Sequence, residues 1–448
     1  MRLFFLILFF QSAHLFGQEI EKNIFGFATS NTFTYFNVLD TSFVNKVNKL
    51  NPQILRFPGG AVGNFYHFDK SGYGFDFNEI DQYHDGKFPK RSRGLESARK
   101  KNKHQHNYIN DFIELAKKTN AKAVLVANPF GDNDNDIILM INKLHANNIK
   151  VVGVELGSEL SNRSYFLKGY TIEDYILFAQ RCSKLIKNHF PEIKIAVVAA
   201  PLGKKKGHRH NIWNKKLSSM NFYDAIIIHS YAQVIKGDAL DGQMVFEEIE
   251  RNNKKQEFQI YKDRVITYFN NHYPKEVQEY SNLYNKPIWV TEWNLHISKT
   301  TGNTLLQSLF VAQYILEALS NSKLSPIELT TYHNLAGRDV SGSIFRNNKE
   351  KVEIQSTYYP MMMIGKIFEN NIFRIEKFTN QETFLYKCYD QYNKEILSYK
   401  LDWGSCKLIC EDYSQKSECF SIVYKSDNLF DKANTLGLLN FKIYESCE

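Results

Sequence analysis

Two glutamates stand where this chain could break a bond. Glu292 lies near the end of the apolar run Pro287-Ile-Trp-Val-Thr-Glu-Trp-Asn294, and Glu159 closes Val151-Val-Gly-Val-Glu-Leu-Gly-Ser-Glu159. Each run predicts a buried strand that delivers a carboxylate at its C-terminal tip, the end where barrel enzymes gather their reactive groups. Two opposed carboxyl groups can cleave a glycosidic bond. One protonates the departing oxygen, and the other attacks the anomeric carbon or activates a water. A gap of about 5 Å suits the first route, with retention, and a wider gap suits inversion. Glu155 shares a strand with Glu159 but lies a layer deeper, so it reads as a supporting carboxylate.

Such a pair needs a scaffold that brings distant segments to one face. Between about residues 23 and 370, apolar strand-like runs alternate with helical patterns, which predicts β/α units and a parallel sheet. The strand candidates are Ile24–Ala28, Gln53–Phe57, Ala123–Asn128, Val151–Leu156, Lys194–Ala199, Ala225–His229, Pro287–Glu292 and Ile327–Tyr332. Helical spacing follows Asp134 (Ile137, Ile138, Ile141, Leu144), and Thr171-x-x-Asp174 has the form of a capping box. Further helices are expected near Thr304–Leu319 and Ser356–Phe368. Eight such units, with no Gly-x-Gly-x-x-Gly after the first strand, favour a (β/α)8 TIM barrel, an α/β fold, over a doubly wound sheet.

Beyond residue 370 the pattern shortens to alternating runs (Thr383–Cys388, Glu395–Tyr399, Ser421–Tyr424, Leu439–Tyr444), expected to form a C-terminal all-β sandwich. The expected division is a signal peptide over 1–18, a catalytic barrel over 19–370 and the sandwich over 371–448. The opening Met1-Arg-Leu-Phe-Phe-Leu-Ile-Leu-Phe-Phe reads as a basic start and a short apolar core, too short to span a bilayer. No Cys stands at the expected cleavage point, so a secreted, periplasmic or cell-surface protein without a lipid anchor or membrane span is expected. Five of the six cysteines (Cys388, Cys406, Cys410, Cys419, Cys447) crowd the tail and suggest one or two disulfides, while Cys182 reads as a buried small hydrophobe. No metal-ligand spacing occurs, and neither a metal nor an organic cofactor is expected.

Four motifs resemble one group of enzymes. Ile54-Leu-Arg-Phe-Pro-Gly-Gly60, Glu155-Leu-Gly-Ser-Glu159, Ile228-His-Ser-Tyr231 and Thr291-Glu-Trp-Asn294 are similar to motifs of the retaining barrel glycosidases with catalytic glutamates on strands four and seven. The nearest patterns are those of α-L-arabinofuranosidases and heparanase-like endo-β-glucuronidases. The resemblance implies a glycoside hydrolase with Glu159 as acid/base and Glu292 as nucleophile. Arg56 would hold the nucleophile ionised. Gly59 and Gly60 would let backbone approach the sugar. His229 and Tyr231 end the sixth strand, where the Tyr hydroxyl can orient the nucleophile. Trp293 offers a ring face for a sugar, with Asn294 beside it. His333 and Asn334 follow the eighth strand and belong to the same pocket. In that group an Asn precedes the acid/base and bonds the sugar 2-hydroxyl; here Ser158 stands there, with a shorter reach and one donor. That departure leaves open a non-catalytic or weakly active carbohydrate-binding barrel.

The net charge is +8. Lys87, Lys90, Arg91, Arg93, Arg99, Lys100, Lys101 and Lys103 crowd one segment, and Lys204-Lys-Lys-Gly-His-Arg-His210 follows the fifth strand. Both segments should rise over the face that carries the glutamates. A basic rim would attract an anionic polysaccharide, uronate or sulfated, although solvated loops of a Lys-rich chain account for it equally simply. No nucleic-acid-binding module accompanies these charges.

Overall fold

The computed structural model describes residues 20–444 apart from 21, 69, 71, 85–86, 102–107, 132–133, 233–253, 296–300, 321–325, 338–341, 349–350, 415–419 and 435–439. The expected leader, Lys103, Cys419 and Cys447 lie outside the described residues.

Eight parallel strands close into a barrel in chain order. They are β1 (Gly26–Ala28), β2 (Ile54–Phe57), β3 (Lys122–Val126), β4 (Val151–Leu156), β5 (Lys194–Val198), β6 (Ala225–Ala232), β7 (Ile288–Leu295) and β8 (Ile327–Tyr332). Phe27 pairs with Tyr332 to shut the ring. The strands are buried on both faces, which is why they read as unbroken apolar runs. Near the bottom of the ring, Gly153 leaves the space that the Trp289 indole fills; a Cβ there would lie 2.1 Å from the ring. The capping box at Thr171 and Asp174 forms and starts the helix Ile172–His189, which buries Cys182.

β7 carries a bulge. Ile228 pairs with Val290, but His229 pairs with Glu292, and on the other side Val290 and Trp293 bracket only Thr330 to Tyr332. Thr291 is the extra residue. A bulge bends its strand and re-aims a side chain, and here Thr291 and Glu292 both make contacts inside the ring.

The last six strands form an antiparallel meander: β12 (Arg374–Asn380), β13 (Thr383–Tyr389), β14 (Glu395–Asp402), β15 (Lys407–Asp412), β16 (Phe420–Lys425) and β17 (Asn440–Tyr444). This is the all-β C-terminal region that the alternating runs predict. A small sheet of β9 (Ala336–Gly337), β10 (Phe345–Asn348) and β11 (Lys351–Ile354) precedes it and was not legible as strands. The helix Leu305–Ser320 is buried on every side except at its last residue, because the barrel covers one flank and the meander the other. Tyr386 donates to Glu317 at 2.7 Å and Trp403 to Gln313 at 2.7 Å across that second contact.

The disulfide expectation is corrected among the described residues: Cys182, Cys388, Cys406 and Cys410 are all buried free thiols. Cys388 lies on β13 and Cys410 on β15, with β14 between them. Two strand spacings, roughly 9–10 Å, exceed the reach of a disulfide. Among the described residues no helix is long and apolar enough to cross a membrane.

Candidate active site

The site is built on one buried cation. Arg56, at the third position of β2, is fully enclosed and grips Glu155 through both oxygens, at 2.6 and 2.8 Å. Its remaining terminal nitrogen donates to Glu292 Oε1 at 2.8 Å. Burial alone would discourage the guanidinium charge, but Glu155 and Glu292 outweigh it and drive its pKa up. Tyr231, two residues beyond His229 on the inward face of β6, donates to Glu292 Oε2 at 2.7 Å. Burial would protonate Glu292; the neighbouring cationic groups and the Tyr231 hydroxyl prevail, holding it far below the usual carboxylate range. His333 Nδ1 lies 3.5 Å from Glu292 Oε2, yet burial pushes that imidazole below its ordinary value. The permanent cation facing Glu292 is Arg56, with the His229 ring beside it.

His229 joins the two glutamates. Its Nδ1 is 2.9 Å from Glu159 Oε1 and 3.7 Å from Glu292 Oε2. One oxygen of each carboxylate and an imidazole nitrogen all fall within 4.8 Å of one another. The proton count on His229 follows from its partners. Thr291 Oγ1 is 3.2 Å from Glu155 Oε2, and that carboxylate, gripped by Arg56, can only accept. The single Thr291 proton goes there, leaving its oxygen to accept from His229 Nε2 at 3.3 Å. With Nδ1 donating to Glu159, both ring nitrogens carry protons. The raised pKa of His229 agrees: burial lowers it, but Glu292 and Glu159 more than compensate.

Glu159 lies three residues past the end of β4, in a left-handed conformation (φ +52°). Its side chain is 38% exposed against 7% for Glu292, so one carboxylate faces the solvent and the other lies at the floor. Asn162 donates to Glu159 Oε2 at 2.9 Å. Gly59 and Gly60 both have positive φ, and a Cβ on Gly60 would stand 3.7 Å from Glu292 Oε1. The Pro58 peptide and the His333–Asn334 peptide are cis. Asn334 is nearly buried, with its side-chain carbonyl unpartnered.

Three sequence-derived site residues are not in the cleft. Ser158 is fully buried, its hydroxyl 3.4 Å from Arg56 and its backbone clasped by Asn64 at both the N–H and the carbonyl, each at 2.7 Å. Its hydroxyl accepts from Arg56, and burial keeps it away from the open cleft. Trp293 is also sealed, stacked on Tyr314 with centroids 4.1 Å apart, because the bulge turns it outward into the barrel wall. Asn294 is buried too, donating to Tyr332, His333 O and Gly342 O. Conversely, sequence reasoning missed Asn64 and Thr291. A polar residue inside the apolar β7 run was the available signal for Thr291; Asn64 had none beyond its place after the Gly pair.

The basic segments are partly neutralised. Arg99 is buried and paired with Asp111 at 2.7 Å, Arg93 pairs with Asp81, and Lys100 reaches Glu96 at 3.5 Å. Lys90, Arg91, Lys204, Lys205 and Lys206 are exposed. These segments follow the C-terminal ends of β2 and β5, the end that carries Glu159 and Glu292.

No protein-family model and no curated protein matches the chain. Solved structures do. A GH51 arabinofuranosidase from Xanthomonas axonopodis pv. citri is 10% identical with a TM-score of 0.62, over 97% of this chain and 93% of its own. A family 51 α-L-arabinofuranosidase from Bifidobacterium longum is 9% identical at TM-score 0.62, covering 96% and 92%. A 4-O-α-L-rhamnosyl-β-D-glucuronidase from Fusarium oxysporum is 12% identical at TM-score 0.51, covering 90% and 80%. At these identities the likeness speaks to architecture: the chain has the barrel-plus-β-domain fold of these (β/α)8 glycoside hydrolases.

Proposed function

We propose that the protein is a retaining glycoside hydrolase with Glu292 as nucleophile and Glu159 as acid/base. The observation that carries the reading is the asymmetry of two carboxylates within 4.8 Å: Glu292 is fixed and ionised by Arg56 and Tyr231, while Glu159 is open to solvent beside a protonated imidazole. That spacing favours direct attack, which needs carboxyl groups about 5 Å apart, over the wider gap of an inverting enzyme. In the first step a Glu292 oxygen bonds the anomeric carbon as Glu159 passes to the departing oxygen the proton it shares with His229 Nδ1, and the glycosidic C–O bond breaks. In the second, Glu159 takes a proton from water, and the water oxygen displaces Glu292. Neither step requires a metal or an organic cofactor. The substrate is a polysaccharide or oligosaccharide, and the exposed lysines beyond β5 favour an anionic one, uronate or sulfated. We assign residues 19–370 to the catalytic barrel and 371–448 to the β-domain, and read residues 1–18 as an export signal.

The test is turnover of a panel of aryl glycosides by the protein and two variants. Glu292→Ala should abolish glycosyl-enzyme formation, and Glu159→Ala should retain activity only on substrates with activated leaving groups. Undiminished turnover in both variants removes the assignment. A second reading, a carbohydrate-binding barrel with little chemistry, is favoured by the loss of the Asn contact, since Ser158 is sealed against Arg56. Calorimetric binding of oligosaccharides without new reducing ends would select it.

A further inference from the structure

Beside the Glu159 loop lies a cavity of about 160 Å³, between the segment after β4 and the helix Arg209–Ser218. Its wall is apolar where Leu160, Ile172, Ile212 and Trp213 meet, and the Arg209 guanidinium sits 5.7 Å over the half-exposed Phe166 ring. Three polar atoms of its lining residues are enclosed without a hydrogen-bond partner: Tyr170 OH, Arg209 Nε and His210 Nδ1. Tyr170 and His210 are more than nine-tenths buried. Leaving such groups unsatisfied is costly, so a cluster of them calls for an occupant.

Their chemistry defines it. His210 Nε2 is 3.2 Å from the Ser161 carbonyl, which only accepts, so Nε2 carries the ring proton. Burial, with the neighbouring Arg209 charge, lowers the His210 pKa to about 4 and keeps the ring neutral. Nδ1 is thus a lone-pair acceptor that needs a hydroxyl. Arg209 Nε–H needs an acceptor, and Tyr170 serves as either. Arg163 and Lys204 add positive charge around Arg209 and His210, with no carboxylate paired to Arg209 among the described residues. Of the acids nearby, Glu173 is paired with Lys216, and Asp174, whose charge reaches Tyr170, is held by the Thr171 N–H and hydroxyl.

We infer that this cavity binds one uronic acid unit of a polysaccharide, on the leaving-group side of the site: carboxylate on Arg209, ring hydroxyls on Tyr170 and His210, and the sugar's C–H face on the apolar wall. The placement rests on the acid/base role proposed for Glu159, because Ser161 and Asn162 tie the cavity to that residue's loop. Its volume admits about one sugar ring, well below a drug-sized pocket.

Calorimetry with free D-glucuronate and D-glucose tests it, on the wild type, Arg209→Met and Glu292→Gln, with melting curves to verify folding and Arg209→Lys as a charge-conserving second variant. Glucuronate should bind at least about tenfold tighter than glucose, Arg209→Met should lose about tenfold, and Arg209→Lys should lose less. Glu292→Gln should leave the Arg209-dependent part of the binding unchanged. Glucuronate affinity within twofold of wild type in Arg209→Met, or equal affinity for glucose, overturns the inference. Arg209-dependent binding in a protein that hydrolyses nothing would sink the hydrolase reading and leave this one standing; turnover with no Arg209-dependent binding would do the reverse.

Discussion

His229→Gln separates proton supply from nucleophilic attack. The substitution removes an imidazolium that donates to Glu159 at 2.9 Å and stands 3.7 Å from Glu292, while Arg56 and Tyr231 still fix Glu292, the proposed nucleophile. A hydrogen bond between charged groups contributes roughly 1.5–3 kcal/mol, or about tenfold to a hundredfold in rate. That loss should fall on glycosides with poor leaving groups, which need the acid, and be under about threefold for dinitrophenyl glycosides, which do not. The pH profile supplies a second reading. The folded pKa of His229 is raised, so its charge and the stability it contributes are fully present below the ordinary imidazole value and are lost as pH rises through the raised one. The alkaline limb of kcat/KM in the wild type should follow that loss and shift or vanish in His229→Gln. Equal losses on both leaving groups, with an unmoved alkaline limb, would refute the proton count deduced from Thr291 and Glu155.

Tyr231→Phe removes the hydroxyl held by Glu292 Oε2 and should lower kcat about tenfold to a hundredfold, with the Glu292 pKa rising but still in the acid range, read from the acid limb of the rate profile. Asn64→Ala frees the N–H and carbonyl of buried Ser158, and should lower stability by about 2–4 kcal/mol in urea melts and reduce kcat as the Glu159 loop loosens. The Glu276 carboxyl, 3.4 Å from Ser230 between His229 and Tyr231, is pushed up to about 7 by burial. For this raised acid, stability is greatest below the unfolded value and falls as pH rises through 7. Glu276→Gln should therefore stabilise the protein at pH 8, by at most about 3 kcal/mol, and change little at pH 4, by denaturant titration.

The barrel was legible because parallel strands buried on both faces are written as apolar runs; β4 and β8 match their expected bounds end for end. The carboxylate pair was legible because both runs end in Glu. What the periodicity could not convey was the bulge at Thr291. Regular alternation assigns Glu292 and Thr291 to opposite faces, whereas the slipped register brings both inward and drives Trp293 into the wall. Ser158 was misplaced for a related reason: the turn after β4 points its hydroxyl at Arg56, a long-range contact that no local pattern encodes. β12 escaped notice because its exposed face is charged and only Ile375 is buried, and the disulfide expectation failed at Cys388 and Cys410 because cysteine crowding carries no information about which strand separates them.

The helix Leu305–Ser320 ties the two halves together. Glu317 and Gln313 take their donors from Tyr386 and Trp403 of the meander, and Tyr399 and Tyr424 reach the Met363 and Ser356 carbonyls on the barrel side. A chain cut near residue 370 would bare the flank of this helix that the meander covers and leave Gln313 and Glu317 without their meander donors. The tail thus covers the outer flank of the barrel's helical layer, and a truncated form should aggregate instead of surviving as a smaller protein.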